Sequence, residues 1–245
     1  MYEPRRRTVL IGLAAVVLVA GCGSHDRGDD ESAEPRLLTG VEAEALALAR
    51  YRLYQEGDVG VAMRWPGPGD EDTILDVTLD LHAHRGFGSM RWATDAGDPV
   101  ERLIGWSPST IATAPAVPDG SAAPPRSAWS TRALSTGAPQ DLFLSLALAL
   151  GSDRPENPVL VRQGAARFLR RDVLAGKAVS VFSGPRPAAE RTDSESRTRY
   201  WLDDGGDLQR FEAYLGDASG RLAQITRAGG APDVRGLAAR VAGVL

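Results

Sequence analysis

Apolar and polar residues alternate along much of this chain. Leu75, Val77, Leu79, Leu81 and Ala83 fall on one side of an extended segment, with Asp76, Thr78, Asp80, His82 and His84 on the other. A period of two predicts a half-buried antiparallel strand. Val59, Val61, Met63 and Trp65 alternate with Gly60, Ala62 and Arg64 in the same way. The following Pro66-Gly67-Pro68-Gly69-Asp70 cannot continue a ladder, because proline lacks a donor and glycine permits unusual angles. Arg85-Gly86-Phe87-Gly88 reads as a turn or bulge, and residues 89–93 and 100–106 read as strands. Residues 166–172 pair with 177–183 across Ala175-Gly176. Residues 199–202 and 208–215 flank Asp203-Asp204-Gly205-Gly206-Asp207 as a hairpin, and 221–226 add another strand.

Helical patterning is sparser. Thr39 and Glu42 have capping-box spacing, and a helix to about Tyr54 would carry a stripe of Leu46, Ala49 and Leu53, with Val41, Ala45 and Leu48 beside it. Glu56-Gly57-Asp58 ends it. Residues 142–150 are apolar all round, with Pro139 near the start and Gly151 just past the end. A short helix of that kind is fully buried, or lines a cavity that something apolar fills. Asn157-Pro158 starts a short helix, and Val234, Leu237, Val241 and Leu245 give the C-terminus a weak helical register. Residues 107–138, rich in Pro, Ala and Ser, form a long surface excursion with a short strand at 110–113, long enough to cover a pocket. Residues 184–196 are polar and read as a loop.

The N-terminus has a different pattern. Arg5, Arg6 and Arg7 precede an uncharged apolar run from Val9 to Ala20, closed by Val19-Ala20-Gly21-Cys22. The run is too short for a spanning helix, which needs about 20 apolar residues. It resembles a bacterial lipoprotein signal peptide with its lipobox. The resemblance implies cleavage after residue 21, a lipid on the Cys22 thiol, and attachment to the outer face of the cytoplasmic membrane. Residues 22–36, charged and without periodicity, read as a disordered tether. Residues 37–245 read as one domain. Arg6-Arg7-Thr8-Val9-Leu10 also loosely matches a twin-arginine export signal, and a general export route fits as well.

The chain has 28 basic and 32 acidic residues, and removal of residues 1–21 would take away three arginines and one glutamate. An acidic surface argues against nucleic acid as a partner, since phosphate binding wants clustered Lys and Arg. The single cysteine, Cys22, leaves the folded part without disulfides or thiol chemistry.

Many strands and few helices predict an α+β fold. The expected form is a curved open antiparallel sheet, a half-barrel, covered on its concave face by helices. With the lipobox, the helix over residues 43–54, the Ala175-Gly176 hairpin leading into Val179-Ser180-Val181-Phe182, and the hairpin from Tyr200-Trp201-Leu202-Asp203 to Leu208-Gln209-Arg210-Phe211-Glu212, the chain resembles the actinobacterial LppX/LprG lipoproteins and the periplasmic carrier LolA. That resemblance implies a hydrophobic cavity for a lipid or glycolipid, carried across the envelope. The wall would be Val61, Met63, Leu75, Val77, Leu79 and Leu81. The lid would be Leu142, Phe143, Leu146 and Leu150. Burying an acyl chain is favourable by about 0.8 kcal/mol per CH₂. The alternative is that these residues pack against each other, leaving a solid-cored, non-enzymatic envelope lipoprotein that binds a protein partner or is structural. Trp65, Trp92 and Trp106, if inward, could fill the space.

Other chemistry finds little purchase. His82 and His84, two apart on a strand face, could reach one zinc ion, but the only further histidine is His25. No Gly-x-Ser-x-Gly elbow or strand-flanked Gly-x-Gly-x-x-Gly occurs. Asp203-Asp204-Gly205-Gly206-Asp207 lacks the spacing of a calcium loop. No catalytic residue, metal or cofactor is assigned.

Overall fold

The computed structural model describes residues 35–66, 72–94, 96–184, 197–216 and 221–245. The signal-like segment, Cys22 and most of the tether lie outside the described residues, as do residues 67–71 and 185–196 of the expected turn and loop.

A two-residue strand, β1 (Arg36–Leu37), leads into α1 (Gly40–Glu56). The capping box forms: Thr39 Oγ1 accepts from the Glu42 N–H at 3.3 Å, and the Glu42 carboxylate accepts from the Thr39 N–H at 2.9 Å. Gly57 stops the helix at φ 76°, and its N–H donates to the Tyr54 carbonyl. A first meander follows: β2 (Asp58–Pro66), β3 (Asp72–Asp80), β4 (Arg85–Ala93), β5 (Pro99–Trp106), β6 (Thr110–Pro115) and β7 (Ser130–Ala133). Helices α2 (Pro139–Leu148) and α3 (Pro158–Gln163) separate it from a second meander. This comprises β8 (Arg167–Leu174), β9 (Lys177–Ser183), β10 (Thr198–Asp203), β11 (Leu208–Tyr214) and β12 (Leu222–Arg227), and α4 (Leu237–Val244) ends the chain.

The strands form one antiparallel sheet in the order β1-β8-β9-β10-β11-β12-β2-β3-β4-β5-β6-β7. The meanders meet where β12 pairs with β2, placing Ile225 opposite Met63. The β8–β9 turn uses Ala175 at φ 50° and Gly176 at φ 80°, two positive values in succession as a tight hairpin requires. Asp203 Oδ1 accepts from the N–H groups of Gly205 and Asp207, both at 3.0 Å, so this aspartate organises the acidic turn.

Two expectations are corrected. The alternation from Leu75 does not stay in strand to residue 83. β3 ends at Asp80, whose Oδ1 accepts from the Ala83 N–H at 2.8 Å and closes a turn, with His84 at φ 49°. His82 and His84 therefore share no strand face. One His82 ring nitrogen instead lies 2.9 Å from the Tyr54 carbonyl oxygen. Nor is Arg85-Gly86-Phe87-Gly88 a turn. It begins β4, with Gly86 opposite Leu79 and Gly88 opposite Val77. Its glycines make room: a Cβ on Gly86 would collide with the Trp106 ring. The long excursion also holds a strand that its composition does not reveal, β7, paired with β6.

The sheet has two working faces. On the inner face Val61, Met63, Leu75, Val77 and Leu79 share one core with Leu46 and Leu53 of α1 and with Phe143, Leu144 and Leu148 of α2. Burying each such leucine contributes about 1.5–3 kcal/mol. On the outer face Leu103, Ala112 and Ala114 of β5 and β6 meet Leu237 and Val241 of α4, with Trp129 beside them. Among the described residues no helix is long and apolar enough to cross a membrane.

Candidate ligand cavity

The pairing register decides which side chains look inward. Met63 stands opposite Leu75, Leu75 opposite Met90, and Met90 opposite Arg102. Ile104 stands opposite Thr113, and Ile111 opposite Arg132. A row of inner positions thus runs from β2 to the edge strand β7. The start of α2 lies over its far end, and there the core opens. A cavity of about 290 Å³ remains between sheet and helix.

Its apolar lining is Leu75, Met90, Ile104, Ile111 and, from α2, Leu144. Trp65 and Trp92, both half-buried, stand beside it. The polar lining is Arg102, Thr113, Arg132, Gln140 and Asp141. Asp141 is only 1% exposed and is held bidentately by Arg132, at 2.6 and 2.7 Å, while accepting the Ser135 N–H at 2.8 Å. The Arg132 guanidinium, helped by that N–H, holds the Asp141 carboxyl below the usual carboxylate range against its burial. This clamp ties β7 to the first turn of α2. The polar excursion thus supplies one side of the pocket.

The residues expected as wall and lid are distributed differently. Leu75 lines the cavity. Val61, Met63, Val77, Leu79, Leu81, Phe143 and Leu150 are buried in the core, none more than 4% exposed. Leu146 packs partly buried against that core, and Leu142 is half-buried. Of the three tryptophans, Trp106 is wholly buried and donates from Nε1 to the Leu144 carbonyl at 3.0 Å, so it fills interior space. Trp65 packs half-buried against the core, and Trp92 is half-buried at the side of the cavity. Met90, Ile104, Ile111 and Arg132 were not singled out from the sequence. The alternation in 100–106 places Arg102, Ile104 and Trp106 on one face, and was the available signal. A second hollow, about 350 Å³, lies between α1 and the β10–β11 turn, with Glu44, Arg52, Arg171 and Asp204 among its lining. Those charges make it a poor home for an apolar ligand.

No protein-family model matches the chain, and no curated protein does. Solved structures similar to it include two from bacteria. A domain named for outer membrane lipoprotein sorting, from Vibrio parahaemolyticus, is 10% identical over 75% of this chain and 91% of its own, with a TM-score of 0.24. A DUF1329 family protein from Desulfovibrio piger is 12% identical over 79% and 92%, with a TM-score of 0.27. A shared fold does not follow from TM-scores of this size, so the functional reading rests on the chain's own geometry.

Proposed function

We propose that this protein is a lipoprotein, anchored through Cys22 to the outer face of the bacterial cytoplasmic membrane, whose single domain binds an apolar or acylated ligand for carriage across the envelope. The reading includes a LolA/LppX-like half-barrel with helices across its concave face, and no enzymatic step. The observation that supports it is the cavity between the inner sheet face and α2, with Leu75, Met90, Ile104, Ile111 and Leu144 around it and two half-buried tryptophans at its side. Apolar walls with a few placed polar groups are the usual make-up of a small-molecule site. Native mass spectrometry of the protein purified from bacterial membranes, with organic extraction of what accompanies it, tests the reading. A stoichiometric acylated compound is the expected result. Ligand-free protein that also takes nothing from added lipid vesicles overturns it.

A second reading has its own support. Val61, Met63, Val77, Leu79 and Leu81 are at most 3% exposed and lie in one continuous core. A solid centre of that kind suits an envelope lipoprotein that binds a protein partner, and ligand-free protein would favour it.

A further inference from the structure

The cavity's polar side is unbalanced. The one carboxylate lining it among the described residues, Asp141, is already engaged by Arg132 and by the Ser135 N–H. Arg102, by contrast, has no hydrogen-bond or ion-pair partner among the described residues. It stands on the inner face of β5, opposite Met90 and Pro115. Glu101, its chain neighbour, pairs in register with Arg91 and points to the other face. The Gln140 amide and the indole N–H groups of Trp65 and Trp92 likewise have no partner among the described residues. An apolar hollow is therefore bordered at its solvent-facing mouth by one exposed cation without a protein partner among the described residues and by several donors that only water would otherwise satisfy, a combination complementary to an amphiphile with an anionic, acceptor-rich head.

Volume limits the tail. At roughly 30 Å³ per water-sized group, 290 Å³ holds on the order of ten heavy atoms. That matches the bulk of one short chain.

Resting on the ligand-carrier reading, we propose that the cavity takes a single-chain carboxylate, a free fatty acid of about ten carbons, with its tail among Leu75, Ile104, Ile111 and Leu144 and its carboxylate on Arg102. Charge-assisted hydrogen bonds from a guanidinium are about twice as strong as neutral ones. The head group thus distinguishes the acid from an alcohol of the same length.

The test uses the full chain released from a non-ionic detergent in native mass spectrometry, titrated with decanoate, decan-1-ol and a diacyl phosphatidic acid. Decanoate is expected to bind one-to-one and about tenfold or more tighter than decanol. Arg102→Leu should weaken decanoate by about tenfold or more while leaving decanol unchanged, and Arg102→Lys should restore most of the loss. Thr113→Phe, which fills the cavity, should abolish both, with its circular dichroism spectrum verifying the fold. If Arg102→Leu binds decanoate like the wild type while Thr113→Phe loses both ligands, the head-group assignment falls and the cavity reading stands. If the wild type binds neither ligand, the cavity reading falls with it. Phosphatidic acid binding as tightly as decanoate overturns the single-chain assignment.

Discussion

The two halves of strand β4 face the same interior, yet one is packed solid and the other borders a void. At Gly86 and Gly88 the strand offers no side chain, and the space is taken by the Trp106 ring at the first and by Val77 at the second. At Met90 and Trp92 the strand offers two large side chains, and their neighbours Trp65 and Arg102 are large as well. Small against large interdigitates to crystalline density. Large beside large cannot close, least of all when one of them is an arginine that keeps its head in water. Apolar content alone does not decide where this interior is hollow. The order of sizes across neighbouring strands does.

Three experiments bear on that contrast. The largest effect is expected from paired tryptophan truncations read by denaturant unfolding. Trp106→Ala should cost about 3–5 kcal/mol, since it empties the packed half and removes the donor to the Leu144 carbonyl. Trp92→Ala, at a half-buried position, should cost only about 1 kcal/mol. Equal costs would erase the contrast. Next, Gly86→Ala should destabilise by about 1–3 kcal/mol, because the added methyl meets the buried Trp106 ring rather than the free end of a flexible chain. A neutral result would mean that the packed half has slack.

The smallest effect is a control far from either half. The Arg36 guanidinium, with the Thr39 N–H and hydroxyl, holds the Glu42 carboxyl at about 2, below its ordinary 4.5. A folded-state pKa lowered in this way stabilises the fold above the ordinary value, and the contribution disappears as pH falls through the folded one. Arg36 is half-exposed, so the pair adds little beyond the cap itself. Glu42→Gln should lower the melting temperature slightly near neutral pH, and the gap to wild type should shrink between about pH 4.5 and 2. A gap that is constant or widens would contradict the pairing.

The two hairpins of the second meander, their tight turns and the α1 cap were legible because each rests on local chemistry: alternation, turn residues at Ala175-Gly176 and Asp203–Asp207, and the Thr39–Glu42 spacing; the pairings of β9 with β10 and of β11 with β12 were not. Alternation ran one turn too far at residues 81–84, since Leu81 still buries its side chain after the backbone has left the strand. β7 gave no signal at all. Its four residues are exposed, and only pairing with β6 makes them a strand. Arg132 was hidden for the same reason, as an arginine on an exposed segment reads as solvated until its carboxylate is found nine residues on. Alternation correctly marked Val61, Val77 and Leu79 as inward. It could not tell an inward residue that packs from one that borders space, because that depends on partners in β5, β6 and α2, all distant in sequence.

The junction of β12 with β2 bears on the order of folding. Each meander is built from neighbours in sequence and can zip as a series of hairpins while the chain is still emerging. The seam joins segments from opposite ends of the domain, and neither flank is continuous until Ile225 has found Met63. Loop closure over that span is the entropic toll on the search, and contacts of this range slow folding. Until it closes, β2 and β12 are two unpaired edges exposed to other chains. A sheet whose two meanders can form before β12 reaches β2 is most vulnerable in the interval when both are folded and the seam is still open.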